Sequence, residues 1–334
     1  MGAPRLTLAL EGGGLDLPAE GRIAVLGPRA GMDLSALERA RVDVIQRFRP
    51  DHDAFAAAGW TTRPDAPSEA AGVYDAAIVV LPRARAEARD AVARAEALVA
   101  RGGPVVVDGQ KTDGADALLR ALRARVPVAG PINKAHGKLF WFAAAGALSD
   151  WRAPPRRQVE GGFVTAPGVF SADGPDPGSV LLAAALPARM PAHLADLGAG
   201  WGYLADAALR REGVETIDLV EADHLALACA RENIRDPRAR FHWADATRWR
   251  PEAPLGGVIM NPPFHGGRAA DPSIGRAFIA AAAACLAPAG RLWLVANRHL
   301  PYEAPLSERF AETAETGGDA RYKILEAARP RRSR

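Results

Sequence analysis

From residue 192 onward, apolar runs of strand length alternate with longer segments of helical length. In chain order they read AHLADLG (strand), YLADAALRRE (helix), TIDLVEA (strand), HLALACARENI (helix), ARFHWAD and GGVIMNPP (strands), SIGRAFIAAAAACL (helix), then RLWLVAN and RYKILEA (strands). Strands alternating with helices predict an α/β fold, a parallel doubly wound sheet with helices on both faces. The N-terminal region carries the same order at a nearly constant offset. Gly27 and Gly31 of GRIAVLGPRAG match Gly198 and Gly202 of AHLADLGAGWG, and AAIVVLP matches GVIMNPP with Leu81 opposite Asn261. Gly103 falls opposite Gly290, and Lys138 opposite Lys323. The pattern predicts an ancient duplication. A Pro/Gly/Arg-rich stretch from Trp151 to Ser179 separates the copies. The boundary is expected near residue 155, with domains over 1–150 and 151–328 and a basic tail over 329–334.

A length of 334 residues suits two domains. At 49% hydrophobic and 24% charged residues the composition is that of a globular protein, which excludes disorder, collagen and coiled coil. The longest apolar stretch, Ala277 to Leu286, falls short of the ~20 residues that a membrane-spanning helix requires. The opening MGAPRLTLALEGGG lacks the parts of a secretory signal, so a cytoplasmic protein without membrane contact is expected. Cys229 and Cys285 have no CxxC spacing and the histidines form no HExxH, so no metal is expected. The net charge of +3 says little about a nucleic-acid partner, because only four of the 42 basic residues are lysine. GC-rich codon usage alone produces that pattern. Asparagine is equally scarce, at four positions, which makes Asn261 inside a motif informative.

DLGAGWG, Asp196 to Gly202, ends a predicted strand and opens a predicted helix, the context a glycine-rich nucleotide loop requires. Glu221 ends the next strand, where an acid can hold ribose hydroxyls, and Asp245 ends the one after, where it can accept from an adenine amine. Singly, each acid reads equally well as a solvated loop carboxylate or a cap. Three in order at strand C-terminal ends point to a ligand site. Asn261-Pro262-Pro263-Phe264 follows the strand GGVIM directly. Proline restricts this loop, so the Pro262 carbonyl can be presented beside the Asn261 side-chain oxygen, two acceptors facing one amino group. Phe264 can stack on a flat substrate. The plain alternative is a proline-rich turn with a core Phe.

These motifs, in this order, resemble class I S-adenosylmethionine-dependent methyltransferases, and NPPF resembles the subset that methylates planar NH2 groups. The chain is most similar to bacterial rRNA guanine-N2 methyltransferases, above all the small-subunit (16S) family. The likeness spans nearly the whole chain, including GVFSADGPDPGSVLL, NPPFH, ANRHLPYE and GDARYKILEA. It implies two tandem Rossmann-like methyltransferase domains, the N-terminal one degenerate and only the second binding S-adenosyl-L-methionine. Val25 stands opposite Asp196, Arg29 opposite Gly200, and Leu81 and Arg83 opposite Asn261 and Pro263, so the first copy has lost the site. By position, the resemblance implies Asp196, Gly198, Gly200 and Gly202 at the methionine and ribose end, Glu221 at the ribose and Asp245 at the adenine. Asn261 also borders the cofactor, and Asn261, Pro262 and Phe264 hold the target guanine. Bulky Trp201 must then point away from the cofactor.

His265 reads either as a loop residue contacting RNA phosphate or as a proton-transfer group, and no general base is nominated. Lys134 and Lys138 are candidate rRNA phosphate contacts, against a plain reading as a solvated hairpin. Gly178 and Ser179 read as an N-cap of the helix LLAAAL, in a segment that the resemblance places over the cofactor. The expected partner is rRNA in the small ribosomal subunit. Rival readings are a large-subunit rRNA guanine-N2 methyltransferase, a glutamine-N5 protein methyltransferase and a non-catalytic RNA-binding assembly factor.

Overall fold

The chain divides into two units, Met1–Pro155 and Arg156–Arg334. The computed structural model describes residues 4–67, 71–263 and 272–331. The first unit runs α1 (Arg5–Glu11), β1 (Ile23–Leu26), β2 (Val42–Ile45), α2 (Arg49–Ala57), β3 (Thr61–Arg63), β4 (Ala76–Val80), α3 (Arg85–Leu98), β5 (Pro104–Gln110), α4 (Ala115–Arg123), β6 (Ala129–Lys134) and β7 (Gly137–Ala143). The second opens with a short hairpin, β8 (Arg157–Gln158) and β9 (Val164–Thr165), and α5 (Pro177–Ala185). It continues through β10 (His193–Leu197), α6 (Tyr203–Leu209), β11 (Thr216–Glu221), α7 (His224–Asn233), β12 (Ala239–Trp243) and β13 (Leu255–Met260). The last elements are α8 (Pro272–Cys285), β14 (Leu286–Asn297), α9 (Glu303–Arg309), β15 (Phe310–Gly318) and β16 (Tyr322–Pro330).

Each unit holds one seven-stranded sheet, and the two have the same order: β3-β2-β1-β4-β5-β7-β6 in the first, β12-β11-β10-β13-β14-β16-β15 in the second. The central strands are parallel and read as continuous apolar runs because both faces are covered. The order reverses at β1 and at β10, each of which pairs with strands on both sides, and ligands of open α/β sheets bind outside the strand ends at that point. The expected parallel, doubly wound sheet is present, with an antiparallel edge that the expectation did not include. β16 lies antiparallel to both β14 and β15. Strand β15, FAETAETGG, has no apolar alternation to betray it, since all its residues after Phe310 lie outside the core.

Both ends of the second domain also differ in detail from expectation. Trp151, placed at the start of that domain, is buried in the core of the first unit. Arg329 and Pro330, placed in the basic tail, belong to β16, and Arg331 still bonds the carbonyls of Arg309 and Phe310.

The close of the first unit rests on one buried carboxylate. Glu96 of α3 accepts from the amides of Ala145, Gly146 and Ala147 through Oε1, at 3.0–3.2 Å, and from Leu148 through Oε2 at 2.9 Å. A buried amide left without an acceptor costs about 1–3 kcal/mol. Glu96→Ala therefore lowers unfolding stability by about 3 kcal/mol or more in urea titration of the full chain, and Glu96→Gln by less; an unchanged midpoint for the alanine variant contradicts this role.

Candidate active site

Strands β10, β11, β12 and β13 end on one edge of the second sheet, and the sequence places a polar group at each end. Asp196 is fully buried between Ala195 and Leu197 in β10, and neither carboxyl oxygen has a hydrogen-bond partner among the described residues. Burial, reinforced by the nearby charge of Glu221 and only weakly opposed by the Ala205 N–H, which stands outside hydrogen-bond geometry, pushes its pKa up to about 8. Glu221, at the end of β11, accepts from the amides of Gly200 at 2.8 Å and Asp223 at 2.7 Å, yet burial still pushes it up to about 7. Desolvation costs several kcal/mol per ion, more than these amides return. Neither acid lines the cleft of Gly198, Gly200 and Asn261, but a cation brought near this strand edge reverses that balance, because it stabilises carboxylates in their charged form.

The loop between β10 and α6 uses its glycines for different purposes. Gly200 has φ +55°, and a Cβ there would meet nothing within 4 Å, so the backbone here leaves room for a ligand to approach. Gly202, expected to line the cofactor, is also a packing position: a Cβ would lie 2.8 Å from Ile234. Gly198 opens the same cleft as Gly200. Trp201 turns its indole inward, donates from Nε1 to the Phe170 carbonyl at 3.2 Å and stacks near Phe163 and Tyr203. Its bulk ties the loop to the entry segment, and Trp201 itself forms part of the cleft wall.

Asn261 follows β13 and enters the same cleft. Its Nδ2 donates to Asp176 Oδ2 and to Ser179 Oγ, both at 2.9 Å. Both amide hydrogens are spent on the entry segment, which leaves Oδ1 as the acceptor of this side chain. Asp176, not Gly178 or Ser179, is the N-cap of α5: its Oδ2 also accepts from the Ser179 amide at 2.9 Å. Sequence reasoning missed Asp176 and Phe170, which also borders the cleft. The run Asp176-Pro177, an N-cap followed by proline at N1, is the signal that was available for the first. Phe170 carries no such pattern.

The remaining predicted residues are not all gathered here. Asp245 follows β12, but its Oδ1 is engaged by the amide and hydroxyl of Thr247 at 2.9 and 2.6 Å, and it does not line the Asn261 cleft. Pro262 stands beside Asn261, whereas Phe264 and His265 lie outside the described residues. Lys134 and Lys138 belong to the first unit, where they border a cavity of about 330 Å³ with Lys111 and His136. Lys138 there pairs with Asp116 at 2.9 Å. Among the described residues no His/Cys/Asp/Glu group could hold a metal, and no helix is long and apolar enough to cross a membrane.

The donor set fits S-adenosylmethionine: two orphaned buried carboxyl oxygens for a cation, and an open glycine for close approach. The family described as methyltransferase small domain matches residues 160–326. Ribosomal RNA small subunit methyltransferase C of Shewanella piezotolerans is 30% identical over 75% of this chain and 76% of its own length, and that of Aeromonas hydrophila is 30% identical with the same coverage. The solved T. thermophilus 16S rRNA N2 G1207 methyltransferase, in complex with AdoMet and guanosine, aligns at TM-score 0.76 and 26% identity over 94% of this chain and 90% of that one.

Raised carboxyl pKa values set a pH dependence. Between about pH 4 and pH 8 the fold holds protons that the unfolded chain releases, so the ligand-free protein loses stability as pH rises through that window. Cofactor affinity moves the opposite way, tightening from pH 6 to pH 8 with proton release, which calorimetry in buffers of different ionisation enthalpy measures. Asp196→Asn raises the ligand-free melting temperature at pH 8 and weakens cofactor binding by on the order of 100-fold. Affinity independent of pH, or retained in this variant, contradicts the assignment.

Proposed function

Because the chain belongs to the ribosomal RNA small subunit methyltransferase C family, we propose that it transfers a methyl group from S-adenosylmethionine to the exocyclic N2 amine of a guanine in 16S rRNA of the small ribosomal subunit. The observation that carries this reading is the fixed amide of Asn261 at the cleft, whose nitrogen is committed to Asp176 and Ser179 and whose oxygen is thereby left as the acceptor. Its compartment is then the cytoplasm, where rRNA is.

Asp196, Glu221, Gly198 and Gly200 hold the cofactor, with Asp245 at the adenine. Gly202 supports the loop from behind. When bound, S-adenosylmethionine supplies an electrophilic methyl group on a sulfonium. Asn261 Oδ1 and the Pro262 carbonyl accept the two N2 hydrogens. An exocyclic amine conjugated to a purine ring is a poor nucleophile, and this geometry draws its lone pair out of conjugation. Phe264 stacks on the base. Most of the rate gain comes from positioning and fixed dipoles, and the N2 proton leaves readily once nitrogen is alkylated, so no base is assigned. Lys134, Lys138 and His265 contact the RNA.

The first unit argues against the glutamine-N5 reading, because that family carries a small helical N-terminal domain where this chain has an alternating strand and helix unit. Labelled methyl transfer to purified 30S subunits, 50S subunits, naked rRNA and a release factor tests the assignment. Label is expected as N2-methylguanosine in 16S rRNA, reduced at least ~100-fold in kcat by Asn261→Ala with cofactor affinity changed much less. Label in 50S rRNA or on the release factor alone overturns the substrate, and cofactor binding without transfer to any RNA overturns the reaction.

A further inference from the structure

The first unit preserves the backbone of a cofactor loop without its chemistry. Gly27 N donates to Ile45 O at 2.9 Å, as Gly198 N does to Val220 O at 2.9 Å. Gln46 occupies the place of Glu221: its Oε1 accepts from the Phe48 amide at 2.8 Å, as Glu221 Oε1 accepts from Asp223 at 2.7 Å. Gln46 then closes the loop from within, Nε2 donating to the Pro28 carbonyl at 2.7 Å. Two acids of the second unit, Asp196 and Glu221, are thus replaced by Val25 and Gln46. Two neutral positions, Gly200 and Pro263, are replaced by Arg29 and Arg83. Every one of these exchanges makes the edge more positive.

The arginines are held but not satisfied. Arg29 lies 3.7 Å from Asp113 Oδ2 and Arg83 3.7 Å from Asp113 Oδ1, so one buried carboxylate stands between two guanidinium groups. Their side chains are 53% and 48% exposed, and neither forms a hydrogen bond among the described residues. Lys111 is exposed in the same turn as Asp113. Ion pairs of this exposure and length are weak, and each guanidinium can do better with a bidentate anion. The second unit's edge, by contrast, presents carboxylates that suit a cation.

We infer that this vestigial edge is a phosphate-binding site for the RNA backbone, with Arg29 and Arg83 as donors and Asp113 as the buried anchor that sets their spacing. It rests on the rRNA substrate proposed above. A backbone contact of this kind fixes the register of the RNA without reading its sequence. It also explains why a loop that no longer suits the cofactor keeps its conformation, since that conformation displays Arg29.

The test compares the full-length wild type with Arg29→Ala/Arg83→Ala and with Arg29→Lys/Arg83→Lys. Binding of naked 16S rRNA is titrated over a range of salt, and methyl transfer to 30S subunits is assayed alongside. The alanine pair is expected to weaken RNA binding about tenfold at low salt and to reduce the slope of log affinity against log salt by about 1.5–2. Cofactor affinity and kcat at saturating substrate stay at wild-type values, and the lysine pair restores most of the slope. Unchanged RNA affinity and slope in the alanine pair overturn the inference. A defect with 30S subunits but not with naked rRNA also overturns it, in favour of an acidic protein surface. Wild type that binds rRNA with this salt dependence yet methylates none refutes the proposed reaction and leaves the phosphate site standing, whereas wild type that does not bind rRNA refutes both.

Discussion

The side-chain amide of Asn261 can point only one way. Asp176 and Ser179 present acceptors to its nitrogen, and reversing it would set the amide oxygen against a carboxylate. That direction links three parts of the second unit. Strand β13 brings Asn261 to the sheet edge, α5 brings its N-cap to the same point, and the Trp201 indole pins the intervening segment to the glycine loop. Two charge-neutral acceptors at a strand end suffice to recognise an NH2 group, and the fold holds the Asn261 amide in one orientation there.

The same edge carries a deliberate electrostatic imbalance. A buried carboxyl without a partner is costly in the ligand-free fold, and Asp196 lies near a second acid. The cost is the counterpart of affinity, since a cationic ligand relieves it. The first unit shows what the fold alone requires. It keeps the strand order and loop bonding, replaces both acids with neutral residues and needs no cation at the corresponding edge. Fold and chemistry therefore separate between the two units.

Much of this was legible along the chain. Apolar strands between helices, the glycine spacing and the acids at strand ends all have local signatures, and they yielded the α/β class and the tandem arrangement. Strand β15 was invisible because an exposed edge strand has no buried face to impose alternation. The partners of Asn261 were invisible for a different reason: Asp176 lies 85 residues away, in a stretch whose Pro and Gly content reads as linker. The glycine motif gave no sign that Gly202 is also a packing position; only the place of Ile234 shows it. Likewise Gln46 became recognisable as the replacement for Glu221 only through its bond to the Phe48 amide.

The central claim is that the Asn261 oxygen and the Pro262 carbonyl receive the amine of the target base. A crystal structure of the protein with S-adenosylhomocysteine and guanosine tests it directly. The account predicts guanine N2 within about 3 Å of both oxygens, the range of an N–H···O hydrogen bond, with Asn261 Nδ2 still bonded to Asp176 and Ser179. Guanine bound through another edge, or an Asn261 amide turned to donate toward the base, would contradict it.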